Sequence, residues 1–399
     1  MNIILFDDDK YTDFLPLVYT RPIGSLRCGI FTINEKWEKV LNAKVSFFTM
    51  PYLESKFPQV WAKDNYLINA RFLPTGETVQ LIKKLGFGDS IWQGEDLLAV
   101  RIKDEGNLTR EEKNNFYKNL HGKKIELEPK AETIELKSVW DLFIKNDQAL
   151  RLDFQYLTKD RASESIPKSV NTIGTDIFIE KGAELTFATL NSSTGPIYIG
   201  KDTVVMEGAT IRGPFALLDH SHVKMGAKIY GATTVGPYSK VGGELNNVVM
   251  QSHSNKNHDG FLGNAVLGEW CNLGADTNNS NLKNNYATVK TWSYNKNGFA
   301  DTGLQFCGLA MGDHSKTGIN TMLNTGTVIG VGCNVFGAGY PRTFIPSFSW
   351  GGSGGRMIHK LNKFFETAQV VMERRNIELS KQEKVILSHI FEETEKYRT

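Results

Sequence analysis

Cysteine is scarce: Cys28, Cys271, Cys307 and Cys333 are the only four in 399 residues, and no C-x-x-C pair occurs. That argues against a disulfide framework and predicts a reducing cytoplasm. A basic tract is missing too, and 46 Lys and Arg against 44 Asp and Glu leave a net charge of +2. The excess of positive charge that nucleic acid or an anionic membrane requires is therefore absent. No apolar run approaches a membrane span. The run Met1 to Phe6 gives way at once to Asp7-Asp8-Asp9, so a first buried strand is predicted rather than a signal segment. Glycine is nearly missing from the first half: of 37, 29 fall between Gly174 and Gly355 and 8 elsewhere. Against these absences stand 40% hydrophobic residues, 23 Phe and 7 Trp, which exclude a disordered chain. The length allows two domains, each with its own core.

The second half is periodic. In steps of six come Ile199, Val205, Ile211, Leu217, Val223, Ile229, Val235 and Val241. The same phase recurs at Ile173, Ile179 and Leu185, at Leu267 and Leu273, and at Leu323, Ile329 and Val335. A period of six fits neither an amphipathic helix nor the two-residue alternation of a strand. It is the signature of a solenoid, in which each short strand and turn buries its apolar side only by stacking on its neighbours. Glycine often follows the aliphatic residue, where a turn accepts backbone angles closed to other residues. Three units per coil give a hexapeptide-repeat parallel β-helix. The register slips between Leu185 and Ile199, and again between Val241 and Leu267, and the period is lost from Asp276 to about Gly312. Loops extruded from a rigid solenoid are where function concentrates.

Residues 1–155 read as an α/β domain, with strands at Ile3–Phe6 and Lys44–Phe48 and helices at Ile33–Leu41 and Thr78–Leu85. A linker is expected at 156–170 and the solenoid at 171–345. Residues 346–399 hold a Gly-rich, flexible or substrate-wrapping stretch, then two capping helices. The first has a face of Ile358, Leu361, Phe364, Phe365, Ala368 and Met372. The second is opened by a Ser380/Glu383 capping box and carries Val385, Leu387, Ile390 and Phe391.

The densest chemistry lies at the second slip, in Ser252-His253-Ser254-Asn255-Lys256-Asn257-His258-Asp259-Gly260-Phe261-Leu262-Gly263. A histidine fixed beside an amine or hydroxyl can take its proton, and Asn and Lys suit sugar hydroxyls and a phosphate. His258-Asp259-Gly260-Phe261-Leu262-Gly263 matches a motif His-x-x-aromatic-aliphatic-Gly, followed by Asn272-Leu273-Gly274-Ala275-Asp276 and Asn281. On these residues, about 165 to 340 resemble the acetyltransferase half of the bifunctional UDP-N-acetylglucosamine pyrophosphorylase / glucosamine-1-phosphate N-acetyltransferase family.

The resemblance implies left-handed winding, a homotrimer and His258 as the catalytic base. It implies Glu244, Phe261, Asn272, Asn281, Lys283 and Lys290 about the amino-sugar phosphate, and acetyl-CoA near Ala275, Ile319 and Gly337. The family's Arg and Lys that grip the sugar phosphate are replaced by Gly242 and Asn246; Lys240, Lys256, Lys283 or Lys290 are the candidates to substitute. Residues 1–155 are similar to a shortened sugar nucleotidyltransferase domain through Leu15-Pro16-Leu17-Val18-Tyr19-Thr20-Arg21-Pro22-Ile23. The family's Gly-rich phosphate loop is missing. Arg21, Arg27 and Lys36 are candidates to hold a nucleotide triphosphate, and Asp7, Asp8 and Asp9 to hold Mg²⁺. Two other functions compete. One is a zinc hydrolyase of the γ-carbonic-anhydrase type, using His253 and His258 with His220 or His222. The other is a catalytically inactive trimeric scaffold or sugar-nucleotide sensor.

Overall fold

The computed structural model describes residues 1–104, 115–116, 120–128 and 132–398. The chain divides into two compact units: Met1–Tyr11 with Arg21–Leu26 and Phe31–Lys137, and Thr12–Thr20 with Arg27–Ile30 and Ser138–Thr399.

The first unit is built on a six-stranded mixed sheet. Strand Asn2–Phe6 lies between Val45–Phe48 and Asp64–Asn69, parallel to both. Asp96–Lys103 then runs antiparallel to Asp64–Asn69. Ile4, Phe6, Leu67, Leu97, Val100 and Phe116 form one apolar cluster. Helix Ile33–Leu41 starts at a Thr32/Glu35 capping box and ends at Asn42, whose φ of 49° is the left-handed stop. Its Trp37 is fully buried and donates from Nε1 to the Phe72 carbonyl at 3.0 Å. The strands and helices read from sequence here are present, the second helix as Gly76–Lys83.

The unit ends at Lys137, earlier than residue 155. The two helices that follow, Asp141–Ile144 and Asn146–Thr158, belong to the solenoid. Asn146, with no exposed surface, is the pin: its Nδ2 donates to the Ala232 carbonyl and its Oδ1 accepts from Gly29 N and the Thr234 hydroxyl.

The second unit is a parallel β-solenoid. One face is nine parallel strands deep, one per coil, from Glu184–Leu185 through Val204–Val205, His222–Val223, Lys240–Val241, Asn255–Lys256, Asn272–Leu273, Lys316–Thr317 and Asn334–Val335 to Ser349–Gly352. All eight residues of the unbroken six-step run are at most 1% exposed and share one core. Ile173 departs from the phase: it is 53% exposed, because Thr172, not Ile173, pairs with the buried Leu190.

The two slips have different causes. The first is an insertion: Ile179 pairs with Ile199 across an enlarged corner at Ser192–Pro196. The second is a deletion rather than an extruded loop. Strand Glu244–Met250 pairs with Lys228–Tyr230 at one end and Thr233–Val235 at the other, and Asn247, at a φ of 53°, makes alone the corner that Gly231 and Ala232 make one coil earlier. Phe261–Leu267 repeats this on the next coil. The extruded segment is the later one, where hairpin Lys290–Ser293/Gly298–Asp301 stands between Leu267 and its partner Met311.

The Gly-rich stretch is ordered solenoid. Trp350 pairs with Asn334, and Ser349–Gly352 turns back on Gly355–Ile358 as an antiparallel pair. Ile358, read as part of a helical face, sits in that strand at 52% exposure. Helix Leu361–Glu373 buries Phe364, Ala368 and Met372. Helix Lys381–Glu393 opens on the Ser380/Glu383 box and buries Ile386, Leu387 and Ile390, while Val385 is 61% exposed. Phe348 of the last coil meets Phe364 and Phe391 edge-on, each at 5.1 Å.

Candidate active site

Coil stacking generates the site. The corners before five consecutive strands of the nine-strand face carry an aromatic or histidine residue at positive φ: His220, Tyr238, His253, Trp270 and His314, at 52–61°. Their rings stack as a column, with centroid spacings of 4.7, 4.9, 4.3 and 6.2 Å. The spacing follows that of neighbouring strands. His253 is therefore a packed ring between Tyr238 and Trp270, its Nδ1 beside the Ser252 hydroxyl at 2.9 Å, and burial lowers its pKa. His253 and His258 both line the cleft described next, but among the described residues no three His, Cys, Asp or Glu side chains gather to hold a metal ion, so the zinc triad is not assembled within one chain.

Beside the column lies a cleft of about 570 Å³. His258, Asn272, Ala275 and Ile319 line it together, as do Asn255 and Asn257. Sequence reasoning missed its opposite wall, Arg374 and Arg375 at the end of helix Leu361–Glu373. With Lys240 and Lys316 they bring four basic side chains to one cavity, and among the described residues no carboxylate lines it. The crowding registers on Lys240, whose pKa is lowered first by burial and then by Arg375, Lys224 and Arg374. Such a cavity takes an anion. The signal available in sequence was the Arg374-Arg375 doublet, outside the repeat and so without a place in its geometry.

The other expected substrate residues do not line this cleft. Glu244 accepts from the Tyr230 hydroxyl at 2.6 Å and is in register with Phe261. Asn281 donates to Asn264 Oδ1 at 2.7 Å. Tyr230 and Asn264 face a second cleft, of about 750 Å³, with Arg212 and Asn247. Lys283 is turned to the Thr288 carbonyl at 2.7 Å, and Lys290 stands exposed on the hairpin. Gly337 lies on an exposed loop away from both clefts. Lys256 is not a surface ligand at all: it is 1% exposed, inside the solenoid.

In the first unit, the carboxyl ends of the three parallel strands open on a crevice of about 390 Å³, the usual place for a ligand in an open α/β sheet. Asp7, Asp8 and Asp9 line it with Glu95 and Asp96, between Phe48, Trp92 and Phe116. Asp7 accepts from Thr49 Oγ1 at 2.5 Å and Ile23 N at 3.1 Å, yet burial still raises its pKa to about 7. Asp8 is spent on Arg71, at 2.8 Å, which also binds Asp96 at 2.9 Å and Glu135 at 2.5 Å. These carboxylates do not fit a Mg²⁺ centre: one is raised toward the neutral acid and another is neutralised by a fully buried guanidinium. Arg21, Arg27 and Lys36 are 6%, 8% and 4% exposed, so none is a surface charge, and none lines the crevice. Arg27 falls in the second unit, its guanidinium donating to the Ile30 carbonyl and its main-chain N to Gln251 at 2.7 Å.

Residues 3–162 match the sugar nucleotidyl transferase family. The bifunctional protein GlmU of Synechococcus elongatus is 26% identical over 182 residues, 43% of this chain and 35% of that protein. The protein of the same name from Trichodesmium erythraeum is 29% identical over 135 residues, 33% of this chain and 24% of that one. The chain thus spans about a third of the length of the curated relatives it matches. Among solved structures, the Arabidopsis UDP-N-acetylglucosamine acyltransferase aligns at 12% identity over 53% of this chain and 80% of that one, with a TM-score of 0.25. The polySia-specific acetyltransferase NeuO aligns at 11% identity over 47% and 85%, with a TM-score of 0.22. Residues 3–162 are therefore similar to the sugar nucleotidyl transferase family, and the chain resembles the bifunctional GlmU proteins over part of its length.

Proposed function

We propose that this chain is a cytoplasmic, homotrimeric enzyme of sugar-nucleotide biosynthesis that N-acetylates an amino-sugar-1-phosphate, of the glucosamine-1-phosphate kind, from acetyl-CoA. The observation that carries the reading is the cleft in which His258, Asn272 and Ala275 meet Lys240, Lys316, Arg374 and Arg375. The cations suit the phosphates of coenzyme A. His258, exposed on the wall, takes the proton that the neutral attacking amine loses. The amine nitrogen forms the new C–N bond at the thioester carbonyl, and the tetrahedral oxyanion collapses with loss of the coenzyme A thiolate. That thiolate takes the proton held on His258. Asn272 is placed to orient substrate oxygens. Glu244, Phe261, Asn281, Lys283 and Lys290 lie away from this cleft in one chain, so the trimer is read as bringing sugar-binding groups of a second copy to it.

For the first unit a nucleotidylyltransferase giving UDP-N-acetylglucosamine or a related NDP-sugar is the family expectation, supported by the match over residues 3–162. A second reading for this unit is a sugar-nucleotide sensor without transfer, favoured by the missing Gly-rich phosphate loop after the first strand.

Thiol release from acetyl-CoA with a panel of amino-sugar-1-phosphates tests the first reading. His258→Ala is expected to lower kcat on the order of 10²–10⁴-fold, the usual worth of a general base. Turnover unaffected by the substitution, or none with any sugar, refutes it. Pyrophosphate release with UTP and dTTP decides the first unit separately.

A further inference from the structure

The nine-strand face has one charged residue in an aliphatic row. Val205, Val223 and Val241 follow one another through the coils, Lys256 is partnered with Val241, and Leu273, Thr317 and Val335 continue the row. Lys256 points into the solenoid and is 1% exposed. Its Nζ donates to the carbonyl oxygens of His258 at 2.5 Å, Asp259 at 3.0 Å and Gly242 at 3.3 Å. Three bonds use all the donors of an ammonium. A methionine would fill the same space with no charge to desolvate, so this lysine works against stability where it stands. What it supplies instead is geometry.

Two of its three acceptors are consecutive residues of the turn that carries His258. None of the other described bonds of that turn is to His258: Asp259 O accepts from Asp276 N at 3.1 Å, Gly260 O accepts from Glu244 N at 3.2 Å, and Phe261 N donates to Asn278 Oδ1 at 2.7 Å. None of the described hydrogen bonds involves the His258 ring, whereas a catalytic base is ordinarily oriented by a third group. The direction of the imidazole is therefore inherited from the main chain that Lys256 grips.

We propose that Lys256 is the positioning residue of the acetyl-transfer site, its internal ammonium fixing the main chain at His258 and Asp259 so that the imidazole stays aimed into the cleft. This rests on the reading of His258 as base. The charged groups facing the ammonium are Asp259 in the turn and Asp276 on the next coil; both favour protonation, but burial is the larger influence and brings the pKa down to about 8. A neutral amine has two donors and a lone pair, so above that pH it holds two of the three carbonyls and turns its lone pair on the third.

The test is Lys256→Met, which keeps the stem and removes the charge. In thiol-release kinetics kcat is expected to fall at least tenfold, with KM for acetyl-CoA within twofold and Tm at pH 7 not lowered. The wild-type kcat should decline above about pH 8, a limb missing from the variant. An unchanged kcat, or the same alkaline limb in both proteins, overturns the proposal. If the variant does not fold, the wild type decides alone. The His258 imidazole resonance, assigned by its loss in His258→Gln, should step near pH 8 as the turn relaxes, and a flat trace there overturns the proposal. The resonance needs no turnover, so a failure of the acyl-transfer reading and a failure of the Lys256 assignment remain distinguishable.

Discussion

Replacing Asp7 by Asn should stabilise the first unit, and by more at higher pH. Asp7 caps the first strand at the floor of the acidic crevice and titrates near 7 instead of its ordinary 3.8. A group with a raised folded pKa binds more protons folded than unfolded in the window between the two values. The stability it lends is whole below about 3.8 and is lost as pH rises through about 7. Taken at face value the shift corresponds to about 4 kcal/mol by pH 8. Asp7 keeps some accessible surface toward the crevice, where water screens part of its charge, and about half of that figure is the better expectation. Asparagine preserves the local bonds: its Oδ1 accepts from Ile23 N and its Nδ2 donates to the Thr49 hydroxyl, which rotates to receive it.

The assay is native-state hydrogen exchange of the full chain, read at the amides of Asn2–Phe6 and Asp64–Asn69 and corrected for intrinsic rates. Asp7→Asn should slow exchange in these strands by roughly 1.5–2.5 kcal/mol at pH 8 and by less than 1 kcal/mol at pH 5. Amides in the solenoid, such as those of Phe215–Leu217, should not respond. Equal gains at both pH values would mean that a packing change, not the charge, was relieved. A loss of protection at pH 8 would refute the burial argument outright.

Two further outcomes follow from the second unit. Arg374→Gln with Arg375→Gln removes two of the four basic side chains of the cleft, and should raise KM for acetyl-CoA on the order of 10–100-fold at low salt while kcat stays within about threefold. Steady-state kinetics at two ionic strengths checks it, and the salt dependence of KM should flatten in the double variant. Ile211→Ala, at a core position with no exposed surface, should cost about 2–5 kcal/mol in denaturant unfolding, whereas the phase-matched Ile173→Ala, 53% exposed, should cost under about 0.5 kcal/mol.

The contrast between Ile211 and Ile173 also marks how far the six-residue period carries. It located the solenoid because each aliphatic residue answers to the same constraint, burial against the coils on either side. It failed at the chain's entry, where Ile173 stands one place out of register because Thr172 is the partner of the buried Leu190, and at the second slip, where a shortened corner looks in sequence like added residues. The period cannot distinguish those cases, since both break the count. Glu244–Met250 distinguishes them only through its partners, one face at each end.

The site shows the same division. His258, Asn272, Ala275 and Ile319 were legible and do share a cleft, because they sit one coil apart on strands and turns whose order the repeat fixes. Arg374 and Arg375 were not, since a helix after the last coil has no register with it. Lys256 was hidden by the slip: 15 residues after Val241 and 17 before Leu273, it falls on no step of six and reads in sequence as one more polar loop residue. In the structure it obeys the rule in direction and breaks it only in chemistry, pointing inward like Val241 before it and carrying its charge to the turn of His258. The place where the sequence departs from its own pattern without departing from the fold is thus the place where the solenoid core meets the proposed chemistry.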